Sequence, residues 1–254
     1  MSLARFYCPD LHSEEAFSLG DEEAAHAFKV LRMKPGERLV AFDGKGWEIH
    51  GEVVEANKRE VACRIVQKHW NPNELPGLAQ VGIAMPKGDR QKLVIEKLVE
   101  MGIHQLVPLV SDRSVAEPSS GMANRLLRYT IEASKQCGRN KLMEILEPMS
   151  LKDYLKMPEA RGTTTGAKWI AHPYTSPLEP SKTWGTQSLD DVRVAIGPEG
   201  GFTDQEVEMG LGLQWELLEL GPRILRVETA VSYVASIFNF YMQPPRWWRA
   251  PQSP

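Results

Sequence analysis

The stretch Val194–Ala235, VAIGPEGGFTDQEVEMGLGLQWELLELGPRILRVETAVSYVA, decides the fold. It holds two glycine-proline turns, Gly197-Pro198-Glu199-Gly200-Gly201 and Gly221-Pro222-Arg223, each after a short apolar run, Val194-Ala195-Ile196 and Leu217-Leu218-Glu219-Leu220. A helix start lies beyond each turn. After the first, Thr203 is placed to cap a helix, with Glu206 three residues on to complete a capping box. After the second, Thr229–Phe240 is apolar at helical spacing. Strand, glycine turn, helix, repeated, predicts a parallel α/β domain, and such sheets take ligands at the carboxyl ends of their strands. Two glycine turns at two strand ends can wall one pocket, with Arg223, Arg226, Glu228 and Thr229 near its mouth.

Working outward, residues 78–243 read as this α/β domain. Val81–Met85 and Leu106–Val110 are buried-strand runs, and Lys168–Ala171 is another. Helices are expected over Asp89–Met101, with Leu93, Val94, Leu98 and Met101 as the apolar face, and over Ala123–Gln136. Residues 1–72 read differently. Arg38–Phe42, Trp47–Val54 and Val61–Val66 alternate as short strands, and Asp43-Gly44-Lys45-Gly46 is a hairpin signal, which suggests a small β-barrel. A helix is expected over Asp21–Leu31, with Ala24, Ala25, Phe28 and Leu31 on its inner side. Asn71–Gly77 is the linker candidate, residues 175–187 read as an irregular insertion, and residues 244–254 form a proline-rich tail.

Composition narrows the class. The chain has 254 residues, 42% hydrophobic and 25% charged, ordinary values for a soluble globular protein. The amino terminus lacks the layout of a signal peptide and no apolar run reaches membrane-spanning length, so a cytoplasmic protein without a membrane partner is expected. Cys8, Cys63 and Cys137 read as reduced thiols, and neither they nor the histidines fall at metal-ligand spacing, so no metal site is expected. The net charge of −3 argues against indiscriminate nucleic-acid binding, but residues 121–141 hold five basic side chains against the one acid Glu132. Neither GxGxxG nor GxxxxGK[ST] occurs, nor a G-x-S-x-G elbow, which removes the main support for a dinucleotide enzyme, a P-loop protein or a hydrolase.

The two loops, Ile196-Gly197-Pro198-Glu199-Gly200-Gly201-Phe202 and Leu220-Gly221-Pro222-Arg223-Ile224-Leu225-Arg226-Val227-Glu228-Thr229-Ala230, resemble those of the SPOUT-superfamily ribosomal RNA methyltransferases. Within it, the chain is most similar to the enzymes that methylate N3 of a uridine in small-subunit (16S) ribosomal RNA. The resemblance runs along nearly the whole chain through Arg5-Phe6-Tyr7, His26, Val30-Leu31-Arg32, Phe42-Asp43-Gly44, Pro86-Lys87-Gly88-Asp89-Arg90, Asp112-Arg113-Ser114 and Gly138-Arg139-Asn140. Each piece is weak and their order is specific. Val227 departs from the family, which usually has threonine there, and the 175–187 insertion and the tail are also unlike it.

The resemblance implies a PUA-like RNA-binding barrel followed by a SPOUT methyltransferase domain with a carboxyl-terminal trefoil knot, acting as a homodimer on 16S ribosomal RNA or the small ribosomal subunit. It implies S-adenosyl-L-methionine as cofactor, held by His172, Pro173, Ile196, Gly197, Pro198, Gly200, Gly201, Leu220, Gly221, Ile224, Leu225, Thr229 and Ala230. Uracil N3 becomes nucleophilic only as its proton leaves, which gives Arg226 the role of stabilising developing charge and makes Glu199 or Glu228 the proton acceptor. Arg5, His26, Arg32, Lys87, Arg90, Arg113, Arg139 and Asn140 are the candidate RNA contacts. The alternative is a non-catalytic RNA-binding ribosome-assembly protein that keeps the fold. Arg226, Glu228 and Thr229, all present, favour the enzyme.

Overall fold

A computed structural model of the chain describes residues 3–11, 14–114, 121–158, 166–172 and 191–242. The chain forms two compact units, Met1–Glu74 with Ile131–Leu142, and Leu75–Thr130 with Met143–Pro254. The 175–187 insertion and the tail lie outside the described residues, as does Pro173.

The first unit is built on a five-stranded sheet. Its strands are β1 (Arg5–Tyr7), β2 (Ala16–Gly20), β3 (Arg38–Phe42), β4 (Trp47–Ala56) and β5 (Glu60–Trp70), in the order β1-β3-β4-β5-β2. β1 runs parallel to β3 and the remaining pairs are antiparallel. The expected hairpin joins β3 to β4. Asp43 Oδ1 accepts from the amides of Lys45 (2.7 Å), Gly46 (3.0 Å) and Trp47 (3.0 Å), so one carboxylate satisfies the whole turn. Alternation along the strands buries Phe6, Leu19, Leu39, Ala41, Ile49, Val53, Val61 and Cys63 in one core.

The expected helix over Asp21–Leu31 is corrected. It is a short α1 (Asp21–Ala25) that widens into a π-helical turn, His26–Val30, closed by Leu31 N donating to His26 O at 3.1 Å. The extra residue in that turn rotates the inward face. Ala24 and Ala27 are fully buried, whereas Phe28 and Leu31 are 40% and 44% exposed.

The second unit is a parallel sheet. Its strands are β6 (Leu78–Ile83), β7 (Gln105–Val110), β8 (Glu144–Ile145), β10 (Gly166–His172), β11 (Asp191–Ile196) and β12 (Glu216–Glu219), ordered β12-β10-β11-β6-β7-β8, with β9 (Met149–Ser150) also paired to β7. Helices α2 (Arg90–Glu100), α3 (Met122–Cys137, which belongs to this unit as far as Thr130), α4 (Leu151–Leu155), α5 (Asp204–Gly212) and α6 (Val227–Met242) connect or follow the strands. Every residue of β11 is buried, as expected of a central parallel strand covered on both faces. On one face Tyr154, Phe202, Val207 and Trp215 form a core with Ile170, Ala195 and Leu217. The Tyr154 hydroxyl donates to Val194 O at 3.1 Å, and only glycine fits beneath its ring at position 82, where a Cβ would lie 2.7 Å from it. In α6, Val231, Val234, Ala235 and Phe238 are fully buried. Along α2 the inward residues are Gln91, Val94, Ile95, Leu98 and Val99, so Ile95 takes the place expected for Leu93, which is 40% exposed. The repeat expected from the opening stretch is present: β11, loop, α5, β12, loop, α6. A knot is a property of the whole chain path, and residues 173–190 of that path lie outside the described residues.

Candidate functional site

Sheet order makes the site. The chain passes from β11 through α5 to β12, crossing over β10, so β10 lies between them, parallel to both. Register pairs Ile170 of β10 with Ala195 and with Leu217, and His172 with Glu219, which brings the ends of all three strands to one edge. A cleft opens there, enclosing about 580 Å³ with the open space at its mouth included. Ala171 and His172 line it from β10, Ile196 to Glu199 and Gly201 from the first loop, and Leu220, Gly221, Arg223, Ile224 and Leu225 from the second. Val227 and Ala230, on the first turn of α6, complete the wall.

The first loop is held in shape from four directions. Gly201 N donates to Pro198 O at 2.8 Å, and Gly201 has φ +68°, a conformation glycine adopts without strain. At Gly197 a Cβ would lie 3.1 Å from Phe202 N and 3.2 Å from Gly201 C, so a side chain there would push the loop backbone apart by a few tenths of an ångström. Phe202, 5% exposed, anchors the far end in the core. The capping box expected at α5 is present: Glu206 N donates to Thr203 Oγ1, and Thr203 N donates to Glu206 Oε2 at 2.8 Å. The other oxygen of Glu206 accepts from Asp112 N at 2.9 Å, while Arg113 donates to the carbonyls of Gly200 (2.8 Å) and Phe202 (3.4 Å). The segment after β7 is thus tied to the glycine loop.

Of the residues expected to hold a cofactor, His172, Ile196, Gly197, Pro198, Gly201, Leu220, Gly221, Ile224, Leu225 and Ala230 all face the cleft. Gly200 sits on the first loop and Thr229 on the first turn of α6, and neither lines it. Glu199 lines the mouth and pairs with Arg90 at 2.7 Å, both side chains half-exposed. Arg226 is exposed just before α6, and its carbonyl accepts from Thr229 N (3.0 Å) and Ala230 N (2.9 Å). Glu228 is half-buried, and its Oε2 is buried with no hydrogen-bond partner among the described residues.

The expected RNA contacts divide sharply. His26, Arg32 and Lys87 are exposed, and Arg32 is a non-glycine residue at φ +55°. Arg5, Arg139 and Asn140 instead pair within the first unit, Arg139 and Asn140 buried and Arg5 partly buried. Arg139 is 2% exposed and grips Glu74 with two bonds, Nε to Oε1 at 2.7 Å and Nη2 to Oε2 at 2.6 Å. Asn140 is fully buried and donates to Glu48 Oε2 (3.0 Å) and Asn71 O (2.6 Å), while Arg5 donates to the same Glu48 oxygen at 2.8 Å. Burial and the side-on pair with Glu74 keep Arg139 away from the surface where phosphates would be tracked. Sequence reasoning missed that Arg113 serves the loop carbonyls, because a partner 87 residues away leaves no local signal.

A family model for an RNA methyltransferase domain matches residues 73–239, and one for an RNA methyltransferase PUA domain matches residues 19–66. The ribosomal RNA small subunit methyltransferase E of Bacillus subtilis is 30% identical over 240 residues, covering 89% of this chain and 91% of that protein. A Legionella pneumophila methyltransferase solved with bound S-adenosylmethionine aligns at TM-score 0.84 with 31% identity, covering 94% of this chain and 98% of that one. The Neisseria gonorrhoeae ribosomal RNA small subunit methyltransferase E, also solved with S-adenosylmethionine, aligns at TM-score 0.81 with 28% identity, covering 94% and 97%. The two units therefore have the expected architecture, a PUA-like sheet unit and a SPOUT-type parallel α/β unit.

Proposed function

Because this chain belongs to the RNA methyltransferase family, we propose that it methylates N3 of a uridine in small-subunit ribosomal RNA, using S-adenosylmethionine. The observation that carries the reading is the cleft at the ends of β10, β11 and β12, framed by the two glycine loops. The residues fit such a cofactor. The Gly197 turn is tight, with a Cβ 3.1 Å from Phe202 N, and the walls combine the apolar Ile196, Leu220, Leu225 and Ala230 with backbone groups of Gly197, Gly201 and Gly221. When bound, S-adenosylmethionine supplies an already activated methyl group on a sulfonium.

What remains for the protein is to position the uridine and remove its proton. Glu228 is the better acceptor for the N3 proton, since its Oε2 has no donor among the described residues, whereas Glu199 is held by Arg90. Arg226, exposed in the loop immediately before Glu228, stabilises the negative charge that develops on the uracil carbonyl oxygens. Lys87, Arg90, His26 and Arg32 remain the candidate RNA contacts, and the loss of one phosphate-contacting cation reduces the salt slope by roughly one unit. The enzyme acts in the cytoplasm as a homodimer, in line with the resemblance; among the described residues no helix is long and apolar enough to cross a membrane.

The test is incubation with isotopically labelled S-adenosylmethionine and either small subunits or naked 16S RNA, followed by digestion and mass analysis of the nucleosides. Label is expected in 3-methyluridine. Label in another nucleoside, or none with either substrate, rejects the reading. Arg226→Ala is expected to lower turnover by about 100-fold, the usual scale for losing one charge-stabilising donor, with cofactor affinity nearly unchanged. Equal loss of both sinks its assigned role.

A further inference from the structure

A second constellation, in the first unit, is not used by any of this chemistry. Strand periodicity puts Glu48 and His50 on one face of β4, and the antiparallel register sets His69 of β5 directly opposite Glu48. A β-bulge follows immediately, between His50 and Gly51, where twist increases and side chains are re-aimed. The two imidazoles converge on a single atom: His50 Nε2 lies 3.2 Å and His69 Nε2 3.3 Å from Glu48 Oε1. All three ligating atoms lie within 4.8 Å of one another.

We propose that Glu48, His50 and His69 form a site for a divalent transition metal of the zinc class. Zinc bonds of about 2.0–2.1 Å to imidazole nitrogen and carboxylate oxygen place tetrahedral ligand atoms roughly 3.3 Å apart, which is the spacing seen from Oε1 to each ring. Two nitrogens and one oxygen suit zinc, copper or nickel and not magnesium or calcium. The carboxylate is presented through one oxygen, because Oε2 is occupied by Arg5 at 2.8 Å and Asn140 at 3.0 Å. Those bonds orient the ligand as outer-sphere partners do in metal sites. Both histidine side chains are 34% exposed, leaving an open side for a water ligand and for metal entry.

Two features set the affinity. The Arg5 guanidinium repels a second cation at the same carboxylate, and His69 Nδ1 is buried without a hydrogen-bond partner among the described residues. Ligation through Nε2 puts a proton on that nitrogen with no acceptor to receive it. The site is therefore exchangeable, weaker than a closed structural zinc site. Nothing in sequence spacing marks it, because Glu48 and His69 are brought together only by strand pairing.

The experiment titrates the full, chelator-treated chain with ZnCl2 by calorimetry, and with CoCl2 by visible absorption, in wild type, His50→Gln and His69→Gln. One zinc per chain is expected, together with the intense visible band of tetrahedral Co²⁺. Each variant should weaken binding by at least the 10–100-fold typical of losing even an outer-sphere partner, while its circular dichroism stays that of wild type. Absence of saturable zinc binding to wild type overturns the proposal. So does binding that survives both substitutions, or equal competition by MgCl2.

Discussion

Removing the Glu206 carboxylate should loosen the first glycine loop without touching the cleft. Glu206 is 5% exposed and its two oxygens serve three donors: Asp112 N at 2.9 Å, Thr203 N at 2.8 Å and Thr203 Oγ1 at 3.1 Å. Glu206→Ala leaves two part-buried backbone amides without their acceptor. A part-buried donor left unpaired costs about 1 kcal/mol, the low end of the usual range; one of the two, Thr203 N, is the lost half of the capping box. The expected destabilisation is about 2 kcal/mol. Glu206→Gln should recover only about half, because its NH2 group must face one of the two N–H groups it replaces an acceptor for. The assay is urea unfolding of the two variants, with amide hydrogen exchange read at Asp112 and Thr203. Both amides should exchange faster in Glu206→Ala, and one of them in Glu206→Gln. A loss below about 0.5 kcal/mol, the scale of an ordinary surface substitution, or a Gln variant equal to wild type, refutes the reasoning.

Arg113→Ala removes the donors to Gly200 O and Phe202 O, and should weaken S-adenosylmethionine binding about tenfold while leaving the fold intact; unchanged affinity would show that the loop keeps its shape alone. Burial pushes the Cys63 thiol up to about 12, and neighbouring Cys8 adds to the rise. At pH 8 its thiolate fraction is then roughly a thousandfold below that of an unfolded cysteine. Cys63 should resist iodoacetamide until the chain is unfolded, and native-state labelling at the unfolded rate would contradict the assigned burial. The thiol holds its proton in the folded state after the unfolded chain has lost it, so this group's contribution is fully present below the unfolded value. It is lost as pH rises toward about 12.

What the sequence made legible was local. The Thr203–Glu206 box, the two glycine turns and the apolar runs before them are encoded within a few residues of where they act, and all are found where expected. Even the convergence of the loops on one cleft was readable, because parallel strands leave their ligand sites at a single edge. What escaped was set by distant partners or by a change of helical period. Arg139 looked like a free cation past a helix end, yet it is buried and Glu74, 65 residues away, takes its Nε–Nη2 edge. Phe28 and Leu31 fit an α-helical face that the π-helical turn does not keep. Histidine spacing could not show the cluster of Glu48, His50 and His69, because it counts positions along one chain segment, whereas Glu48 and His69 meet through ladder register.

Relatives solved with S-adenosylmethionine bound make the non-catalytic alternative the weaker reading. The central claim is that the cleft at the ends of β10, β11 and β12 is the cofactor site. Calorimetric titration with S-adenosylmethionine tests it most directly, comparing wild type with Gly197→Leu, whose Cβ would lie 3.1 Å from Phe202 N, and Gly212→Ala, whose Cβ would meet nothing within 4 Å. Saturable one-site binding is expected in wild type and Gly212→Ala, with at least about a 100-fold loss, some 2.7 kcal/mol, in Gly197→Leu. Equal affinity in all three, with folding intact, would place the cofactor elsewhere.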